Sequence, residues 1–109
     1  TNNWYPGEVL DDPRYTERRV DTLTVRARQA FLEYFPIREP ADDPGRVFRK
    51  VAYGPHLDLF FIDMRSYRGP NTVNSQPERD EETAILGTAQ LRWLKYELAA
   101  SRATWKVIC

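Results

Sequence analysis

The residues best placed to do chemistry in this chain are arginines. Arg65 follows Leu57-Asp58-Leu59-Phe60-Phe61-Ile62-Asp63-Met64, a near-continuous apolar run of the kind a strand buried on both faces presents. Open α/β sheets bind ligands outside the carboxyl ends of their strands. A guanidinium at that place can hold a phosphate through two parallel hydrogen bonds. The alternative is a structural ion pair, with Asp63 or Asp58 as partner. Arg68 offers the same chemistry a few residues on, and the Tyr67 hydroxyl between them is a further candidate substrate contact. Asp63 itself suits capping or pairing in a turn. A different hydrolytic reading takes Asp58, Asp63 and Glu82 as the working carboxylates, but no recognisable motif places any two of them as a pair. The one histidine, His56, falls in a turn and is expected to be exposed. No Asp/His pair shows metal-ligand spacing, and a metal cluster needs several such ligands to converge. Cys109 is the single cysteine; it forms no internal disulfide and has no histidine nearby to activate its thiol.

Bulk properties narrow the partners. The chain has 109 residues, 41% hydrophobic and 29% charged, which is ordinary globular composition and not that of a disordered segment. Lys plus Arg equals Asp plus Glu at 16 each, so there is no electrostatic footprint for nucleic acid or an anionic membrane. No apolar run approaches the ~20 residues of a membrane span.

Several elements must carry these side chains. Residues 1–20 are rich in Pro, Asp, Tyr and Arg, show no period, and read as an extended loop. Residues 22–35 read as a helix. Leu23, Ala27, Ala30, Phe31, Tyr34 and Phe35 form its apolar stripe, Asp21 or Thr22 is available as its cap, and Pro36 ends it. Residues 46–53 and 57–64 form a hairpin across Gly54-Pro55, the second strand being the more central. Residues 65–87 form a long polar loop. Residues 88–100 make a second helix, with Thr88 as cap, and Leu91, Leu94, Leu98 and Trp93 give it an apolar face. Residues 104–109 return as a strand, expected to lie parallel to 57–64 in the second half of a βαβ unit. Trp93 and Trp105 are expected in the core. The fold class is therefore α/β, a mixed sheet with flanking helices. Three strands and two helices leave apolar edges open, so further chain is expected on both sides.

The motifs resemble those of one family in order and over nearly the whole chain. Asn2-Asn3-Trp4 looks like the end of an Asp-Asp-His-Glu…Asn element. Gln29-Ala30-Phe31-Leu32-Glu33-Tyr34-Phe35-Pro36-Ile37-Arg38 resembles its Ala-Phe-x-Glu-Tyr-x-Pro-x-Arg segment. Tyr53-Gly54, Leu57-Asp58-Leu59-Phe60 and Asp63-Met64-Arg65-Ser66-Tyr67-Arg68 resemble its hairpin and Leu-Asp-x-Arg-x-Tyr-Arg element. Ile85-Leu86-Gly87-Thr88-Ala89-Gln90-Leu91-Arg92-Trp93-Leu94 resembles its Leu-Gly-x-x-Gln-x-x-Trp-Leu helix, and Ser101 to Ile108 matches the strand that follows. The resemblance is to PhoD-like phosphatases, the alkaline phosphatase D family.

That resemblance implies a calcineurin-like metallophosphatase sandwich that hydrolyses phosphomonoesters and phosphodiesters, with calcium and iron (or other divalent metals) bound and export from the cytoplasm (secreted or periplasmic) as the usual location. The metals neutralise phosphoryl oxygens and lower the pKa of a bound water. In the intact parent, one of Asn2 and Asn3 is then a candidate amide ligand to a metal. The family's Gly-Asp, Asp-Asp-His-Glu and later histidine motifs are not among these residues. By itself the chain is accordingly expected to hold no metal cluster and to be inactive, the phosphate ester and the rest of the parent domain being its partners. The alternative is a non-catalytic α/β binding or interaction module on the same scaffold, with loop 65–83 as its contact surface.

Overall fold

Alternation decides which way each residue of the central strand faces, and the computed structural model, which describes residues 2–73 and 75–109, shows the result. Strand β1 (Arg49–Tyr53) pairs antiparallel with β2 (Leu57–Phe61), Val51 opposite Leu59. The turn between them carries Gly54 at φ 68°, in the left-handed region that glycine occupies without strain. Helix α2 (Thr88–Ala100) then leads to β3 (Trp105–Ile108), which joins the other edge of β2 in parallel, Leu59 opposite Val107. The order is β1-β2-β3, so the apolar run occupies the middle of a mixed sheet. Helix α1 (Val20–Tyr34) precedes all three strands.

One sheet face is built around Lys50, Asp58, Phe60 and Lys106, and α2 covers it. Phe60 is fully buried and Leu94 of α2 nearly so. Lys106 Nζ donates to the Leu98 carbonyl at 3.2 Å. The other face carries Val51, Tyr53, Leu57, Leu59, Trp105 and Val107. Here β2 is not buried on both sides as the apolar run suggests: Leu57, Leu59 and Phe61 are half-buried. Trp105, expected in the core, is 68% exposed. The cause is register, because Trp105 stands opposite Leu57 on the face that α2 does not cover. Its far end is dressed: the Arg49 guanidinium lies 5.7 Å from the Phe31 ring of α1 and 4.9 Å from the Phe61 ring, a cation–π arrangement.

Element ends differ from the sequence expectations in instructive ways. Helix α1 starts at Val20, with Arg19 as N-cap and no side-chain cap. Asp21 instead accepts the Gly7 amide at 2.9 Å. Together with the Val9–Arg19 bridge and the Val20 amide on the Glu8 carbonyl, that bond ties the first residues to the helix start. The helix ends at Tyr34, since Phe35 is extended (φ −102°, ψ 132°), as a residue before proline prefers. The hairpin begins at Arg49 because Phe48 turns inward. It is 4% exposed and packs on Trp93 and Tyr67 with ring centroids 4.8 and 5.3 Å away. Thr88 does not cap α2; the N-cap is Gly87 at φ 70°. A Cβ at Gly87 would stand 2.7 Å from the Tyr67 carbonyl oxygen, so the loop carrying the arginines lies directly on the helix start.

Candidate anion site at the end of the central strand

The site is built outward from Asp63, where the chain leaves the sheet. Ile62 still pairs with it, its amide donating to the Cys109 carbonyl at 3.0 Å. Asp63 then makes a tight turn: its Oδ1 accepts the amides of Arg65 and Ser66, both at 2.9 Å, the Asx geometry that this short side chain favours. Beneath it lies Gln90, fully buried in the first turn of α2. Its Oε1 accepts the Asp63 amide at 2.7 Å, and its Nε2 donates to the carbonyls of Asp63 at 2.8 Å and Leu86 at 2.9 Å. A buried amide is tolerated when its polar atoms are paired, and here the pairing fixes where the Arg65 turn begins.

From that turn two guanidiniums converge on one oxygen. Asn3 Oδ1 accepts Arg65 Nη1 at 2.7 Å and Arg68 Nη1 at 3.0 Å. Arg68 is held twice more, Nε on the Gly69 carbonyl at 3.1 Å and Nη2 on Asn71 Oδ1 at 2.7 Å. Asn71 closes the ring: its Oδ1 also accepts Asn3 Nδ2 at 3.1 Å, and its Nδ2 donates to the Asn3 backbone carbonyl at 2.9 Å. The amide orientation follows from chemistry, since a flipped Asn3 would set an NH2 against two donors. Asn3 has φ 56°, a left-handed conformation that asparagine accepts more readily than most residues.

The charge of this cluster is not answered from within. Among the described residues, neither Arg65 nor Arg68 has a carboxylate at ion-pair distance; the pairs present are Arg14–Asp12, Lys50–Asp58 and Lys50–Glu97. The expected alternative pairing of Arg65 with Asp63 or Asp58 is absent from the geometry. Asp63 takes the Arg65 amide and not its guanidinium, and Asp58 belongs to Lys50 and Ser101. Two like charges held by neutral amides favour an anion between or beside them.

The other candidate residues lie elsewhere or do other things. Tyr67 packs edge-on against Phe48. Burial, with Asp43 and Asp63 adding to it, pushes its hydroxyl above the usual phenol range, so it stays protonated. Asn2 is exposed beside Asn3. His56 is exposed; its carbonyl accepts the Trp105 amide and its ring nitrogen lies 3.4 Å from the Thr104 hydroxyl. Glu82 is exposed, and Cys109 is a free, exposed thiol. Among the described residues no three His, Cys, Asp or Glu side chains converge as a metal site, and no helix is long and apolar enough to cross a membrane.

Asn71 is the member of the cluster that sequence reasoning misses. It lies in an aperiodic loop, and its partner Asn3 is 68 positions away, so neither period nor spacing announces it. Gln90 is visible only as a letter of the Leu-Gly-x-x-Gln helix motif. Its position in the first turn of α2, facing a strand end, is the signal that could have exposed its role.

A second polar cluster sits under α2. The Ser101 hydroxyl donates to Asp58 Oδ2 at 2.6 Å, and Lys50 Nζ lies 3.3 Å from both Asp58 and Glu97. The Ser101 bond, joined by Lys50 and opposed by desolvation, holds the Asp58 carboxyl below its ordinary range. For Lys50, desolvation pulls downward, but the bonds to Glu97 and Asp58 outweigh it and raise the ammonium.

With the geometry in view, the comparisons with known proteins are specific. The family profile described as PhoD-like phosphatase matches residues 1–109. Alkaline phosphatase D of Bacillus subtilis (strain 168) is 30% identical over 91 residues, which cover 75% of this chain and 16% of that protein. A solved structure of PhoD superposes with a TM-score of 0.64 at 27% identity, over 97% of this chain and 22% of the other. The chain thus spans less than a quarter of either relative.

Proposed function

Because the chain belongs to the PhoD-like phosphatase family, we propose that it is the phosphoryl-binding and scaffold portion of a phosphoester hydrolase. The observation that carries the reading is the convergence of Arg65 and Arg68 on Asn3 at the carboxyl end of β2, with no carboxylate paired to either among the described residues. A phosphate ester brings the missing negative charge, and guanidiniums bind its oxygens in parallel pairs. As charge builds on those oxygens during P–O cleavage, fixed cations stabilise it without having to reorganise. Arg68, held on three bonds, supplies a fixed charge. Arg65 commits one N–H to Asn3 and keeps its remaining donors for the ester. The Tyr67 hydroxyl is a further candidate contact from the same loop. An interaction module using loop 65–83 would not require two unpaired cations at a strand end.

The family resemblance brings calcium and iron with it. The donors of the described residues do not fit a metal cluster on their own, since no three His, Cys, Asp or Glu side chains converge among them. Asn3 turns its amide oxygen to two cations, which disfavours a third on the same atom. We therefore assign the metals of the intact enzyme chiefly to ligands outside this chain. With Asn3 committed to the arginines, Asn2 is the remaining candidate of the two for an amide ligand. The isolated chain is then inactive, and the intact protein is exported, as its family usually is.

The deciding experiment is hydrolysis of chromogenic phosphate mono- and diesters by the complete gene product, beside the 109-residue chain alone. Turnover by the complete protein only, inhibited by inorganic phosphate, is the expected result. Turnover by the short chain, or none by either protein with calcium and iron supplied, would overturn the reading.

A further inference from the structure

We propose that Asn71 is a positioning residue for the phosphoryl site, one that holds the two guanidiniums together without neutralising them. The proposal rests on the reading of the arginine pair given above. Asn71 touches both halves of the cluster: Arg68 Nη2 at 2.7 Å, Asn3 Nδ2 at 3.1 Å and the Asn3 carbonyl at 2.9 Å. With Nδ2 of Asn3 taken by Asn71, the Asn3 oxygen has one direction left, toward Arg65 and Arg68. With the Asn3 carbonyl taken as well, the backbone is held at φ 56°, a conformation sparsely populated in a free chain. Asn71 thus sets Asn3, and Asn3 sets where the cations meet.

The residue type matters as much as its place. An aspartate at position 71 would keep the acceptor for Arg68 but lose the donor to the Asn3 carbonyl, and it would bring a negative charge that competes with the ester. A neutral amide gives an acceptor with no charge attached. Asn71 is exposed, so its removal leaves little buried polar surface unpaired.

The test uses the complete gene product and inorganic phosphate as the probe, with binding followed by calorimetry so that the readout does not depend on turnover. Asn71→Ala is expected to weaken phosphate binding roughly fivefold, the effect of about one net hydrogen bond. Asn71→Asp, nearly the same shape, is expected to weaken it on the order of tenfold or more, since a carboxylate beside the guanidiniums repels the anion. Melting temperatures of both should stay close to the parent. In an Arg68→Ala background Asn71→Ala should add little, because the two act as a unit. If Arg65→Ala and Arg68→Ala leave phosphate binding unchanged, the arginine-pair reading fails and this proposal with it. If those variants weaken binding while both Asn71 variants bind like the parent, or if Asn71→Ala and Arg68→Ala are fully additive, the proposal alone is overturned.

Discussion

Two polar clusters are strung along one strand, and they answer charge in opposite ways. Under α2, Lys50 meets Asp58 and Glu97, and Asp58 meets Ser101: each charge has a counter-charge, and the carboxylate is also hydrogen-bonded. Just past the strand's end, Arg65 and Arg68 meet, among the described residues, amides and a carbonyl and no carboxylate. The first arrangement is complete and serves to hold α2 on the sheet. The second is complete in geometry and incomplete in charge, which is the condition for binding something anionic. Structural ion-pair networks perturb pKa values as functional sites do, so it is the missing counter-charge that separates the two clusters, and one strand provides both kinds.

The contrast breaks most visibly at Asp58. Asp58→Ala leaves Lys50 without its buried partner and the Ser101 hydroxyl without an acceptor. We expect the largest loss of stability of any change considered, seen as a sharply lowered melting temperature, with phosphate affinity per folded molecule unaltered; lost affinity at unchanged melting temperature would erase the distinction. Arg65→Ala should do the reverse in the intact protein. Turnover should fall on the order of tenfold or more, as for loss of a transition-state charge contact, with stability within about 0.5 kcal/mol of the parent. A variant that melts early yet turns over normally per folded molecule would make Arg65 structural.

A subtler separation comes from pH. Asp58 is lowered from 3.8 in the folded state, so its contribution is full above 3.8 and fades as pH falls through the folded value. Lys50 is raised from 10.5, so its contribution is full below 10.5 and fades as pH rises through the folded value. The cluster's share of stability should therefore be flat across the wide window between, and Asp58→Asn should shrink the acid limb in thermal melts, leaving the part due to Asp12, which Arg14 also lowers. An acid limb unchanged in that variant would place the titrating group elsewhere. The smallest effect is expected for Ser101→Ala, about 1 kcal/mol for one lost hydrogen bond, measurable by denaturant titration. A null result would mean that the lysine alone satisfies Asp58.

Much of this was legible in the amino acids. The apolar run Leu57–Met64 marks the central strand, and a helix ending shortly before a β-branched segment marks the parallel return, because a parallel partner needs a crossover of that length. Arg65 stands out because it follows that strand, and Arg68 because it follows Arg65. What was not legible depends on contacts between distant segments. Asn3 and Asn71 meet across 68 positions through loop geometry that has no period. Trp105 reads as core because it is large and aromatic, but its side of the sheet was settled by register against Leu57. Thr88 reads as a cap by residue type; Gly87 takes the place because the Tyr67 backbone leaves no room there for a side chain.

The way Gln90 grips both the N–H and the carbonyl of Asp63 has a consequence for how this protein can vary. The path from Asp63 to Gln90 leaves the sheet and comes back to its own starting point, and the Gly69 amide on the Ala84 carbonyl at 2.8 Å cinches it again partway. What hangs beyond that second knot, after Asn71, can be lengthened, trimmed or exchanged for foreign sequence while both ends stay tied. It is the natural place to graft a label or a recognition peptide beside the arginine pair without disturbing it.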